Sequence, residues 1–166
     1  MPLQANGLAV NRYGLWAVAY GGTPVMRIDP ATNTVAVVAR FPAGFAQSIA
    51  ADERAVWTTH FTSSVLTLVR IDAADPSVTS DTHIPTVDVA TGSGRVWFLG
   101  WEPGVKTDSP RNHFGLVGQI DPVTMKVIRV ADLPIGAPDE TGLAVAGRDA
   151  WVVDSTTHTV RRIEGR

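Results

Sequence analysis

Apolar positions along the chain fall into short runs, and the runs repeat. Leu8-Ala9-Val10 stands before Trp16, Ile49-Ala50-Ala51 before Trp57, Val89-Ala90 before Trp97, and Leu143-Ala144-Val145 before Trp151. In all four copies the leading aliphatic residue lies eight positions ahead of its tryptophan and is followed by alanine. Each tryptophan leads into a second extended stretch: Ala17-Val18-Ala19, Thr58-Thr59, Phe98-Leu99 and Val152-Val153. A third segment follows as Arg27-Ile28-Asp29, Arg70-Ile71-Asp72, Gln119-Ile120-Asp121 and Arg162-Ile163-Glu164. A valine-rich fourth comes after it, as in Val35-Ala36-Val37-Val38 or Val127-Ile128-Arg129-Val130. Alternating β-branched residues predict strands, and no segment sustains a helical period.

Turn chemistry joins these segments into units. In Asp29-Pro30-Ala31-Thr32-Asn33 and Asp121-Pro122-Val123-Thr124, proline presets φ for a type I turn and the aspartate can bond its own backbone. The units close at Pro42, Pro85 and Pro134. A four-stranded unit of about 40 residues, repeated along a chain, is the signature of a β-propeller blade. The expected fold is all-β, a single propeller domain over residues 1–166 with blades near 7–42, 43–85, 86–134 and 135–166. The last blade lacks its outer strand, because the chain stops after Arg162-Ile163-Glu164. The expectation is therefore a fragment, a four-blade ring, or half of a dimeric ring, since an unclosed array exposes sheet faces and edges. Ile163-Glu164-Gly165-Arg166 also matches a factor Xa cleavage site, yet it keeps the register of the repeat and reads as native. The repeated alanine is expected to let neighbouring sheets approach near the axis. The four tryptophans are expected to fill the wider space between blades, as structural residues.

Composition narrows the function classes. Hydrophobic residues make up 45% and charged residues 18%, which suits a well-buried sheet protein and argues against disorder. A formal charge of −2 without any basic run gives no footprint for nucleic acid or an anionic membrane. The absence of cysteine excludes disulfides, thiolate metal sites and a cysteine nucleophile. No apolar stretch is long enough for a membrane helix, and Met1-Pro2-Leu3-Gln4-Ala5-Asn6 carries no signal-peptide pattern. A soluble protein is expected, either intracellular or a domain of a longer exported chain. Few lysines among many arginines, with much alanine and valine, fit a bacterial, GC-rich genome.

Candidate chemistry gathers where the loops between second and third strands share a face with the connections between blades. Those loops start at Tyr20, His60-Phe61, Trp101-Glu102 and Asp154-Ser155, and the connections add Phe45, Gln47, Val87-Asp88 and Asp139-Glu140. An aromatic residue stands four positions after the tryptophan in three units, as Tyr20, Phe61 and Trp101. Such a set either rings a binding mouth or packs its rim. The third unit alone carries a long insertion, Trp101 to Phe114, with an aromatic, a carboxylate (Glu102), a cation and His113. Insertions on one face of a repeat array are often the binding element, and a tolerated surface loop is the plain alternative. The expected ligand-binding set is Tyr20, His60, Phe61, Trp101, Glu102, His113 and Asp154. No phosphate loop, nucleophile elbow or His-Glu-x-x-His motif is present. Gly21-Gly22 and Gly92-Ser93-Gly94 read as turn residues, and His83 as a surface residue.

The run of small apolar strand, Val-Trp, Arg-Ile-Asp-Pro-x-Thr-Asn and valine-rich strand resembles the YVTN and virginiamycin B lyase-like propeller repeats, also called streptogramin lyase-like. The resemblance covers essentially the whole chain and is specific for the fold rather than for one activity. It implies a module that binds a protein, a peptide or a small polar ligand, with no cofactor. As an alternative it implies metal-assisted C–O elimination with Mg or another divalent cation. His60, His113 or His158 would then be the base, and Glu102, Asp88, Asp139, Glu140 or Asp154 the metal ligands. No tight His-x-Glu spacing links these groups. A structural propeller domain of a larger protein is a further alternative, and a homodimer completing a ring is the expected self-partner.

Overall fold

Where β-branched and aromatic residues alternate between turn residues, the backbone pairs as strands throughout. The computed structural model describes residues 5–19, 24–41, 44–62, 66–77, 79–100, 115–133, 141–154 and 157–165. Its strands are β1 (Ala5–Asn11), β2 (Gly14–Ala19), β3 (Pro24–Asp29), β4 (Thr34–Arg40), β5 (Phe45–Ala51), β6 (Ala55–Phe61), β7 (Leu66–Asp72) and β8 (Thr79–Asp81). They continue as β9 (Thr86–Gly92), β10 (Arg95–Gly100), β11 (Gly115–Ile120), β12 (Val127–Leu133), β13 (Thr141–Ala146), β14 (Asp149–Asp154) and β15 (Thr159–Ile163). They form antiparallel meanders ordered β1-β2-β3-β4, β5-β6-β7-β8, β9-β10-β11-β12 and β13-β14-β15. The last sheet has three strands and each of the others four. The chain divides into two compact units, Met1–Ile84 and Pro85–Arg166, each holding two of these blades.

Register explains the repeated residues. Alanine stands directly across from tryptophan in every first hairpin: Ala9↔Trp16, Ala50↔Trp57, Ala90↔Trp97 and Ala144↔Trp151. The small methyl leaves room for the indole on the same face, so the cross-strand partner fixes the alanine. Crowding near an axis is not needed to account for it. The third strand continues the row with Arg27, Arg70, Gln119 and Arg162 opposite those tryptophans. The leading aliphatic residues point to the other face.

In the first unit the tryptophan face of the β1–β4 sheet packs on the aliphatic face of the β5–β8 sheet. Trp16, Val18 and Val25 join Ala46, Ile49, Val56, Val69 and Ile71 in one buried cluster. In the second unit Trp97, Leu99 and Val117 pack on Ala150 and Val152 in the same way. Trp16, Trp57 and Trp97 are fully buried, whereas Trp151 is 39% exposed, so the structural role expected for all four holds for three. Buried indole N–H groups need acceptors. Trp16 Nε1 donates to Asn11 Oδ1 at 2.9 Å, and Trp57 Nε1 to Asp52 Oδ2 at 2.8 Å, each acceptor five residues upstream. The same position before Trp97 is Gly92, where a Cβ would run into Val145 Cγ1 of the adjoining sheet. Trp97 Nε1 and Gln119 Oε1 are accordingly buried without hydrogen-bond partners among the described residues.

Candidate binding face

At the end of the first unit where β6 leaves and β7 enters, strand alternation separates the two candidates. Ala46 pairs with His60 and Phe45 with Phe61, so His60 and Phe61 face opposite sides of the sheet. His60 belongs to β6 rather than to a loop. It is buried at 8% exposure and stacked on Phe41, with ring centroids 4.2 Å apart and planes at 19°. Phe61 tilts against Phe45 at 5.1 Å. The expectation that His60 opens a loop is corrected here: it pairs within β6, and the sheet and Phe41 cover its ring.

The inner strands carry a feature that the sequence did not signal. Register shifts fall between Ala5 and Gly7 in β1, between Ala46 and Ile49 in β5, and across Leu99/Gly100 where β9 pairs β10. These bulges lie at the same end as the β2–β3 and β6–β7 loops of their own unit or, for β9, the β10–β11 loop. Bulges re-aim side chains and often lie beside functional sites. The β5 bulge is pinned by Thr59 Oγ1, which accepts from Ser48 N at 2.9 Å, and by Thr58 Oγ1, which donates to Ser48 O at 2.8 Å. Asn6 in the β1 bulge donates to Gln47 O in the β5 bulge at 2.9 Å, tying the two blades together. Two threonines beside a Gln-Ser pair were the one available hint.

In the second unit the corresponding carboxylates already hold loops in place. Asp154, 1% exposed, accepts from Thr157 Oγ1 at 2.7 Å and from Thr157 N at 3.3 Å, capping the β14–β15 turn. Asp88 Oδ1 accepts from Val89 N at 2.9 Å and Asp88 Oδ2 from Leu143 N at 2.8 Å, joining β9 to β13. Tyr20, Trp101, Glu102, His113, Asp139 and Glu140 lie outside the described residues. His83 is exposed just after β8, and His158 is exposed in the β14–β15 turn. Among the described residues no group of three or more His, Asp or Glu side chains gathers as a metal site would.

The displaced titrations lie elsewhere, in turns at the opposite ends of the strands. Asp72 accepts from Asp75 N and Ala74 N, and Asp121 from Thr124 N and Val123 N. These donors hold both carboxyls below the ordinary aspartate range. Asp149 is lowered chiefly by the Arg162 guanidinium, whose Nε donates to Oδ2 at 2.9 Å. These groups serve the fold.

No family profile and no curated protein matches the chain. Solved structures do. It is similar to a chain of a nidogen/laminin complex, with TM-score 0.63 and 11% identity over 96% of this chain and 75% of that one. It is also similar to TolB from Acinetobacter baumannii, with TM-score 0.62 and 12% identity over 98% of this chain and 44% of TolB. The fold is a β-propeller. A further match is the computationally designed Ika4 protein, with TM-score 0.65 and 11% identity, covering 100% of this chain and 94% of that one. At such identities the likeness concerns architecture alone, and this propeller chain takes no activity from it.

Proposed function

We propose that the chain is a non-catalytic binding propeller that presents the loops carrying Tyr20, Phe61, Trp101, Glu102, His113 and Asp154 to a protein or peptide, with His60 stacked on Phe41. Its repeats are read as of the YVTN and virginiamycin B lyase-like kind, on the motif alone. The supporting observation is how the described polar groups at that end are used. Asp154 and Asp88 are occupied by backbone N–H and threonine donors, and His60 is stacked under Phe41, so these groups set loop shape. Loops held by a rigid sheet scaffold are a common recognition device, and the longest loop, with Trp101 at its start, supplies an aromatic anchor.

The test is panning of a displayed peptide library on the chain, followed by affinity measurement on two variants. In one, residues 102–113 are replaced by Gly-Ser-Gly; the other carries Val123→Ser in a turn at the far end of the strands. Selected peptides should lose tenfold or more in affinity for the loop-shortened variant, about 1.4 kcal/mol, and bind Val123→Ser normally. Peptides indifferent to the loop would overturn the assignment. Elimination from a cyclic depsipeptide that depends on Mg and on Glu102 would replace it with the lyase reading.

A further inference from the structure

Two sheet faces expose large apolar side chains, and they are opposite halves of the contact found inside each unit. The first is the aliphatic face of the β1–β4 sheet. Two cross-strand rows build it: Val10, Leu15, Ile28 and Val35, and beside them Leu8, Ala17, Met26 and Val37. Neither row contains a polar side chain. On its two edge strands Leu8 is 59%, Val10 72%, Val35 60% and Val37 44% exposed, while Ala17 and Met26 between them are buried with Ile28 packed against them. The equivalent residues one blade later, Ile49, Val56, Val69 and Ile71, are buried beneath Trp16, Val18 and Val25.

The second is the tryptophan face of the β13–β15 sheet, with Ala144, Trp151 and Arg162 in one row and Gly142, Val153 and Val160 in the next. Trp151 is 39%, Val153 45% and Val160 62% exposed. Their counterparts Trp16, Val18 and Val25, and likewise Trp97, Leu99 and Val117, are all buried at 0% exposure. Every such tryptophan face whose cover lies within its own unit is covered by the aliphatic face of a blade of the same repeat. Exposed large apolar side chains gathered on a sheet face in this way mark an interaction site.

We propose that these faces close one more blade-to-blade contact between two copies of this chain. The Trp151 face of one copy seats on the Leu8, Val10, Val35 and Val37 face of the other, and reciprocally. Such a head-to-tail contact, made twice, gives a closed twofold assembly. The internal contacts also specify its register. Gly7, nine residues before Trp16, lets the next blade approach so closely that a Cβ there would lie 2.9 Å from Ile49 Cγ2. Gly142 is nine residues before Trp151, and a Cβ built on it meets nothing within 4 Å. Leu8 holds the repeat position of Ile49. In the assembly Gly142 of one copy therefore meets Leu8 of the other.

The experiment is solution mass by light scattering after size exclusion, at micromolar concentration, on the whole chain. The expected mass is twice 17.7 kDa. Gly142→Val, which the single chain accommodates freely, should leave circular dichroism unchanged and return the mass to one chain. A 17.7 kDa wild-type species, or a Gly142→Val variant that keeps the doubled mass, overturns the proposal. The chain has no cysteine, so Leu8→Cys and Gly142→Cys chains carrying different tags can be mixed and oxidised. A covalent Leu8→Cys/Gly142→Cys pair is expected, since at the equivalent contact a Cβ on Gly7 would touch the Ile49 side chain and a disulfide joins residues whose Cβ atoms lie ~3.5–4.5 Å apart. Cross-links only between identical variants would overturn it, as would a doubly substituted chain that closes on itself.

Discussion

At the scale of single residues, the repeat tolerates different solutions to one problem, the buried indole N–H. Asn11 and Asp52 answer it for Trp16 and Trp57, while Gly92 leaves Trp97 Nε1 without an acceptor. Phenylalanine in place of Trp57 strips Asp52 Oδ2 of its donor, whereas at Trp97 it removes an orphan. Trp57→Phe should therefore be more destabilising than Trp97→Phe by about 1 kcal/mol or more in urea unfolding. A second difference sits in the Asp-Pro turns. Asn33 and Met125 both adopt left-handed φ, at 56° and 58°, and each donates its N–H to the turn aspartate's carbonyl at 2.8 Å. Asparagine accepts that conformation better than methionine does. Met125→Asn should stabilise the fold by about 0.5 kcal/mol, and differential scanning calorimetry should show a rise in Tm of roughly 1–2 °C.

At the scale of elements, the turns and hairpins are held by carboxylates whose acidity reports their work. Asp72 and Asp121 bind backbone N–H groups of their own turns, and Asp149 binds Arg162 across the β14–β15 hairpin. All three are displaced downward. A depressed folded value stabilises the protein above the unfolded value of about 3.9 and loses that contribution as pH falls through the folded value. The unfolding midpoint should thus be steady over about pH 5–7 and fall below about pH 4. Asp149→Asn should make the acid limb shallower in a pH series of thermal melts. The Asx-type turns were legible in the sequence from Asp29-Pro30 and Asp121-Pro122. The pairing of Arg162 with Asp149, thirteen residues apart, was not, because only the hairpin register brings them together.

At the scale of the molecule, each unit holds its own cluster of one tryptophan face against one aliphatic face, and Leu8, Val10, Val35 and Val37 on one sheet and Trp151, Val153 and Val160 on another are exposed. If two copies bury those faces, mass action links stability to concentration. Tm should rise with protein concentration for the wild-type chain and not for Gly142→Val, measured by the same scans at a series of concentrations. An exposed Trp151 in the same repeat slot as the buried Trp16 shows why sequence alone could not assign its environment. The local pattern is identical, and only the presence of a covering sheet differs.

By itself the sequence determined the strand repeat, the turn chemistry, the four-blade count and the shortened last blade, because strand periodicity and proline-aspartate turns are local properties. It also placed Phe61 and Asp154 at the ends of their strands, where the structure has them. Tertiary structure decided what those residues do. Alternation put His60 and Phe61 on opposite faces, packing buried His60 under Phe41, and cross-strand geometry committed Asp88 and Asp154 to holding backbone. The bulges that re-aim Asn6, Gln47 and Ser48 likewise depend on how one strand meets the next. Register and burial are relations between distant segments, and a repeat read along one chain specifies the segments without specifying which faces find a partner.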